Sequence, residues 1–106
     1  MIREVAEKQS EIAVLCARYR VRRLELFGSG ARAGTFDAER SDLDFVVTFD
    51  DLHPVAFADA WFGLWEGLAA LFGRPVDLLT AESIRNPYLK ESIERSRQTL
   101  YVEADV

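Results

Sequence analysis

The stretch SDLDFVVTF, residues 41–49, decides the fold because it sets two acidic residues at the mouth of a mostly apolar run. Its last seven residues, LDFVVTF, are β-branched at their centre, which predicts a central strand. Asp42 and Asp44 flank Leu43 where this strand begins. Residues two apart in a strand share a face and stand about 6.5–7 Å apart, so we expect both carboxylates to point the same way.

The segments around this strand predict alternating helices and strands. In chain order we expect a helix over 2–19, a strand over 22–28, a loop over 28–40, the strand over 43–49, a helix over 54–72 closed by Gly73, a strand over 76–79 with Thr80 as the next N-cap, a helix from Asn86-Pro87 to about Arg97, and a last strand around 100–103. The expected fold class is α+β (mixed α/β): a small mixed β-sheet of three to four strands flanked by helices. No repeat or linker interrupts residues 1–106, so we expect a single domain.

Composition narrows the class of protein. The chain has 106 residues, 49% of them hydrophobic and 29% charged, which excludes disordered and disulfide-scaffold proteins. Cys16 is the only cysteine and lies in an apolar helical stretch, so we expect a buried thiol and a cytoplasmic protein. A net charge of −5 argues against direct nucleic-acid binding. Asp59 and Glu66 oppose the apolar side of helix 54–72, which favours a core helix and no membrane span.

A third carboxylate, Asp77, lies inside the apolar segment PVDLL, residues 75–79. Neighbouring strands are about 4.8 Å apart, so Asp42, Asp44 and Asp77 can converge on one face of the sheet. Each has a purely structural alternative, because Asp-x-Asp is common in turns and caps at strand ends. Together, unpaired carboxylates would repel one another, and a divalent cation with hard oxygen ligands, Mg²⁺, resolves this repulsion.

A small-residue turn precedes this acidic group. The segment LFGSGAR, residues 26–32, follows a predicted strand, and Gly28 and Ser29 would let backbone N–H groups and a hydroxyl approach a phosphate. The segment lacks the Gly-Lys-Ser/Thr ending of a Walker loop. A phosphate-holding turn beside three metal-binding acids predicts metal-assisted nucleotidyl transfer.

The combined pattern resembles a known family. Gly28-Ser29, twelve intervening residues, Asp42-Leu43-Asp44 and a later Asp77 are similar to the nucleotidyltransferases of the DNA polymerase beta superfamily. The pattern LFGSGARAG…SDLDFVV…VDLL most resembles the minimal nucleotidyltransferase (MNT) domains of bacteria and archaea, over nearly the whole chain. The chain departs from the family pattern at Gly30, where Arg is frequent, and at Ala33, where Gly is frequent.

The resemblance implies a fold, cofactors and roles for these residues. It implies the nucleotidyltransferase fold, with Asp42 and Asp44 bridging two Mg²⁺ ions. It implies that Asp77 holds the catalytic metal and helps to deprotonate an acceptor hydroxyl. The three aspartates would therefore be both the catalytic residues and the metal ligands.

The resemblance also assigns a donor to the turn. ATP would be the nucleotide donor, with its β- and γ-phosphates cradled by Gly28 and Ser29. Arg32 would either contact a phosphate or brace the loop. Attack of the acceptor hydroxyl at the α-phosphorus would release pyrophosphate.

Three acceptors or roles stay open at the level of sequence. MNT proteins pair with a helical HEPN-domain ribonuclease toxin, so the resemblance implies an antitoxin that transfers AMP to a toxin tyrosine. An alternative is an antitoxin that neutralises its partner by binding alone, for which an exposed Phe62 would suit docking. Transfer to a small molecule, as in antibiotic-modifying relatives, is disfavoured because those enzymes carry a further domain or dimer surface for the acceptor, which we do not expect here.

Overall fold

The computed structural model describes residues 3–28 and 42–103. In chain order their elements are α1 (Arg3–Ala6), α2 (Gln9–Arg18), β1 (Val21–Phe27), β2 (Leu43–Phe49), α3 (Pro54–Phe72), β3 (Val76–Thr80), a 3-10 turn (Ala81–Ser83), α4 (Pro87–Ser96) and β4 (Gln98–Val102). The predicted order of helices and strands is confirmed, and most strand ends differ from the prediction by one or two residues.

The four strands form one mixed sheet in the order β3-β2-β1-β4. β2 and β3 are parallel, whereas β1 pairs antiparallel with both β2 and β4. The parallel pair is joined by α3, as a crossover between parallel strands requires. The predicted α+β class with a small mixed sheet is therefore confirmed.

The two faces of the sheet are covered unequally. On one face, α2 and α3 pack against alternate strand residues such as Leu43, Phe45 and Val47, and this main core also contains Ile12 and Leu64. The opposite face lies against α4. We call the cluster there the second core; it consists of buried Phe27, Val46 and Ile93, with Leu79 and Ile84 packed at its margin.

Helix α3 buries one stripe of its surface. Its buried residues are Ala60, Leu64, Leu68 and Phe72, spaced four apart and therefore on one face. The helix is long and apolar enough to cross a membrane by length and composition. In the structure its buried stripe belongs to the main core, as predicted for a core helix. The helix ends at Gly73, whose φ of +63° is left-handed as predicted for a closing glycine.

Two indoles of α3 cover the edge strand. Nε1 of Trp61 donates to the carbonyl oxygen of Leu78 at 3.2 Å, and Nε1 of Trp65 donates to that of Val76 at 3.1 Å. These acceptors belong to β3, which is an outer strand of the sheet. Because exposed edge groups can pair with another chain, the indoles protect this edge.

The single helix predicted over 2–19 is wrong, because the chain breaks it into α1 and α2. Lys8 leaves helical geometry, and its ammonium donates to the carbonyl oxygen of Leu71 at 3.0 Å. Arg74 and Glu4 form an ion pair at 2.8 Å that ties α1 to the turn after α3. Contacts with a distant part of the chain therefore override the continuous helical pattern.

Of the two predicted helix N-caps, Asn86 is confirmed and Thr80 is not. The carboxamide oxygen of Asn86 accepts from the backbone N–H groups of Tyr88 at 2.9 Å and Leu89 at 3.4 Å, which confirms the predicted N-cap of α4. The prediction of Thr80 as an N-cap is wrong: it ends β3, and its side chain makes no capping hydrogen bond. Instead the Ser83 hydroxyl donates to the Thr80 carbonyl oxygen at 2.8 Å.

Cys16 is buried and free, as predicted. Burial raises the pKa of its thiol to about 12, so the thiol stays protonated and unreactive at neutral pH.

Candidate active site

Asp44 and Asp77 meet where the parallel strands begin. Each is the second residue of its strand, and the register of β2 and β3 makes the two residues direct partners. Direct neighbours on one face of a sheet have side chains in contact distance. Strand alternation places both on the α4 side of the sheet, away from the main core. Asp44 is half-buried, whereas Asp77 is exposed.

The proximity of these carboxylates alters the protonation of Asp44. Burial is the largest cause of a rise in its pKa to about 6, followed by a hydrogen bond and charge repulsion from Asp77 and then repulsion from Asp42. A hydrogen bond between two carboxyl groups requires one proton, so protonated Asp44 donates to Asp77. The pair thus holds a proton at a pH where an ordinary aspartate has lost it.

Asp42 lies at the rim of this pair. It is exposed and directly precedes β2, and its charge acts on Asp44. Among residues 3–28 and 42–103, no three His, Cys, Asp or Glu side chains are disposed to hold one metal ion together. The structure therefore brings Asp44 and Asp77 into contact and leaves Asp42 beside them.

Gly28 borders the carboxylate pair from the other neighbouring strand. It follows Phe27, the antiparallel partner of Asp44, and has a left-handed φ of +72°. A Cβ atom built on Gly28 would lie 2.8 Å from Oδ2 of Asp44, closer than real Cβ atoms approach. Only glycine therefore allows the chain to pass this carboxylate in this conformation.

Ser96 is a residue near this site that the sequence reasoning missed. Its hydroxyl oxygen accepts from the backbone N–H of Gly28 at 3.0 Å. The available signal was a serine three positions after Ile93, on the side of α4 that carries this apolar residue.

The other predicted residues of the turn lie outside the described part of the chain. These are Ser29 and Arg32, which were assigned to the phosphates, and the departures from the family pattern at Gly30 and Ala33. Their assignments stay predictions.

Comparison with known proteins identifies the family. The sequence model of the nucleotidyltransferase domain family matches residues 9–100, so the chain belongs to this family. The chain is 41% identical over 93 residues to a protein of Methanocaldococcus jannaschii named "Putative protein adenylyltransferase", covering 88% of each sequence. The predicted family and the prediction of a nucleotidyltransferase are confirmed.

Solved structures agree on the fold. A chain in a crystal structure of a toxin–antitoxin with AMP-PNP matches with a TM-score of 0.65 and 22% identity, over 90% of this chain and 73% of that chain. A chain in a structure of the tri-AMPylated Shewanella oneidensis HEPN toxin with its MNT antitoxin matches with a TM-score of 0.62 and 20% identity, over 93% of this chain and 73% of that chain. These matches show that the nucleotidyltransferase fold predicted from the sequence is correct.

Proposed function

We propose that this nucleotidyltransferase transfers AMP from ATP to a hydroxyl of a HEPN-domain toxin, a tyrosine hydroxyl, and acts in the cytoplasm as the antitoxin of that toxin. The observation that carries the proposal is the contact between Asp44 and Asp77 beside Gly28. It supports the proposal because the paired carboxylates lie beside Gly28, one of the residues to which phosphate binding was assigned.

The chemistry of the acidic group fits a divalent cation. Because the pKa of Asp44 is about 6, most of its proton is lost at neutral pH, and the charges of Asp77 and Asp42 then repel the ionised carboxylate. Carboxylate oxygens are the ligands that Mg²⁺ prefers, so Asp44 and Asp77 would hold the ions with Asp42 joining from its exposed position. When bound, Mg²⁺ would neutralise these carboxylates and the phosphate oxygens of ATP.

The exposure of the two paired residues suggests different roles. Asp77 faces solvent, from which an acceptor protein approaches, and it would accept the proton of the attacking hydroxyl. Half-buried Asp44 would stay in place between Asp77 and Gly28. Gly28, through its lack of a side chain, would let the β- and γ-phosphates approach, Ser29 would bind them, and Arg32 would contact a phosphate or brace the turn.

The proposed reaction balances without a further reactant. The acceptor oxygen forms a bond to the α-phosphorus of ATP, and the bond from that phosphorus to the bridging oxygen breaks. Pyrophosphate leaves with the bond electrons, while the hydroxyl proton passes to the carboxylate group.

The choice of acceptor is supported by the relatives and by charge. A 41% identical relative carries the name of a protein adenylyltransferase, and a structural neighbour comes from a complex with an AMPylated HEPN toxin. The net charge of −5 suits a basic partner such as an RNA-cleaving protein.

The test is mass spectrometry of the protein encoded next to this gene after incubation with the chain, ATP and Mg²⁺. We expect a mass gain of one or more AMP units, and none with the Asp42→Ala/Asp44→Ala variant. The Asp59→Ala/Glu66→Ala variant is the matched control, because it removes two exposed carboxylates of α3. A neighbour whose mass is unchanged by wild-type protein would contradict the proposal.

Neutralisation by binding alone is the second candidate, and exposed apolar side chains favour it. Phe62 is 57% exposed on α3, and Val14 is 67% exposed on α2. If the Asp42→Ala/Asp44→Ala variant still protects cells from the partner, binding is sufficient. If protection is lost while the complex still forms, transfer is required.

A further inference from the structure

Ser96 is a polar residue at a buried position, and the proposed function does not use it. It is the last residue of α4, and only 7% of its surface is exposed. It follows Ile93 of the second core by three positions, so both lie on the side of the helix that faces the sheet. A buried hydroxyl is unfavourable unless it is hydrogen-bonded, so its partners are informative.

Both hydrogen-bonding roles of this hydroxyl are filled. Ser96 donates to the carbonyl oxygen of Ser92 at 3.0 Å, and its oxygen accepts from the N–H of Gly28 at 3.0 Å. A hydroxyl has one hydrogen, and here that hydrogen is committed to Ser92. A lone pair therefore points at Gly28, and the end of α4 is joined to the residue that follows β1.

This bond also determines where Gly28 lies relative to the carboxylates. A Cβ on Gly28 would lie 2.8 Å from Oδ2 of Asp44, so the backbone of Gly28 lies directly against that carboxylate. The N–H of Gly28 is engaged by Ser96. Gly28 thus contributes its position and its lack of a side chain, and its N–H is not free for a phosphate while this bond is made.

We infer that Ser96 is a positioning residue of the nucleotidyl-transfer site: it holds Gly28 against Asp44 and so fixes this glycine beside the carboxylate pair. Its effect on turnover rests on the proposed function. Its effect on Gly28 and Asp44 can be measured without any reaction.

The test compares three variants. Ser96→Ala removes the acceptor for Gly28, whereas Ser96→Thr retains a hydroxyl. Ser92→Ala is the matched control, because it removes a serine side chain one turn away and leaves the backbone carbonyl that Ser96 uses. For each we would measure AMP transfer, amide hydrogen exchange of Gly28, and the carboxyl ¹³C chemical shift of Asp44 at pH 8.

We expect Ser96→Ala to lower kcat about tenfold, as loss of one hydrogen bond to a part-buried donor would do. KM for the acceptor protein should change less than about twofold, since Ser96 does not contact it. Exchange of the Gly28 amide should accelerate, and the Asp44 resonance should shift. Ser92→Ala should match wild type in all three measurements, and Ser96→Thr should restore the Gly28 protection.

The outcomes separate this inference from the proposed function. If wild type transfers AMP but Ser96→Ala behaves like Ser92→Ala, the role of Ser96 is wrong and the proposed function stands. If wild type transfers nothing, the proposed function fails. The amide exchange of Gly28 and the carboxyl shift of Asp44 then decide whether Ser96 positions Gly28. Unchanged Gly28 exchange and an unchanged Asp44 shift in Ser96→Ala would then overturn the positioning role.

Discussion

The two faces of the sheet differ in how much apolar core covers them. Among the described residues, the main core beneath α2 and α3 contains sixteen buried residues, whereas the second core beneath α4 contains three. The Asp44–Asp77 pair lies on this second, less covered face. Asp44 and Asp77 point to that side because they alternate with main-core residues along β2 and β3. Ser96 reaches Gly28 from α4 on that side.

This difference has a physical reason. A carboxylate in the main core would lose its hydration and find no partner, which is very unfavourable. On the face beneath α4, Asp77 is exposed and Asp44 is half-buried, so both side chains can be charged. The register of β2 and β3 still fixes the backbone that carries them. The face beneath α2 and α3 therefore holds most of the apolar core, and the face beneath α4 is where the sheet can carry charged carboxylates in a fixed register.

The largest expected effect tests this division directly. Leu64→Ala removes a fully buried side chain of the main core and should lower the free energy of unfolding by about 3 kcal/mol, while kcat of the folded protein stays unchanged. Ile93→Ala on the second core should cost about 2 kcal/mol and also lower kcat, because it loosens the helix that carries Ser96. Urea unfolding followed by tryptophan fluorescence gives the stabilities. Equal losses of kcat in the two variants would contradict the claim that only the second core supports the carboxylate site.

The second effect compares Ala substitutions at Gly28 and Gly73, two glycines with a left-handed φ, of which only Gly28 lies against the carboxylate pair. Gly28→Ala should destabilise the fold by about 2 kcal/mol through its positive φ and the clash with Asp44, and should abolish most transfer activity. Gly73→Ala has a similar φ of +63° but meets nothing within 4 Å. It should cost about 1 kcal/mol and leave activity intact. Thermal melts and transfer rates check both, and an active Gly28→Ala variant would contradict the close approach.

The third effect is a gain of stability when the charge of Asp44, on the face beneath α4, is removed. The pKa of Asp44 rises from 3.8 to about 6 on folding, so its contribution to stability is complete below pH 3.8 and is lost as pH rises through 6. The rise corresponds to at most about 3 kcal/mol, which partial exposure reduces to about 1 kcal/mol. In EDTA, Asp44→Asn should therefore stabilise the protein by about 1 kcal/mol at pH 8 and by nothing near pH 3.5.

Urea midpoints across this pH range measure the difference. Asp59→Asn, on exposed α3, controls for the loss of one negative charge. A stabilisation by Asp44→Asn that is independent of pH would show that the ionisation of the buried Asp44 carboxyl is not its source.

The smallest effect concerns the start of α4. Asn86→Ala removes the acceptor for two backbone N–H groups and should cost about 1 kcal/mol. Asn86→Asp keeps an acceptor oxygen and should cost less. Both are read from melting temperatures, and equal destabilisation by the two variants would show that the cap contributes nothing.

Features that depend on a few neighbouring residues were predictable from sequence. The apolar, β-branched run of residues 43–49 predicted strand β2, and Asn86-Pro87 predicted the cap of α4. The class of enzyme followed from the spacing between Gly28-Ser29 and the aspartates.

Features that join distant parts of the chain were not predictable. The break between α1 and α2 depends on Lys8 meeting Leu71, and no periodicity within 2–19 encodes it. The bond between Ser96 and Gly28 spans 68 positions and exists only because α4 packs behind β1. Periodicity places residues on faces of elements, but the partners across a face come from tertiary packing.

The most direct test of the central claim, that the carboxylate pair forms a cation-dependent nucleotide site, is a carboxyl ¹³C NMR titration of Asp44. Without metal, Asp44 should titrate near pH 6. With Mg²⁺ and a non-hydrolysable ATP analogue, its pKa should fall below about 4, because a bound cation favours the ionised carboxylate. Identical titration curves with and without Mg²⁺ and nucleotide would contradict the claim.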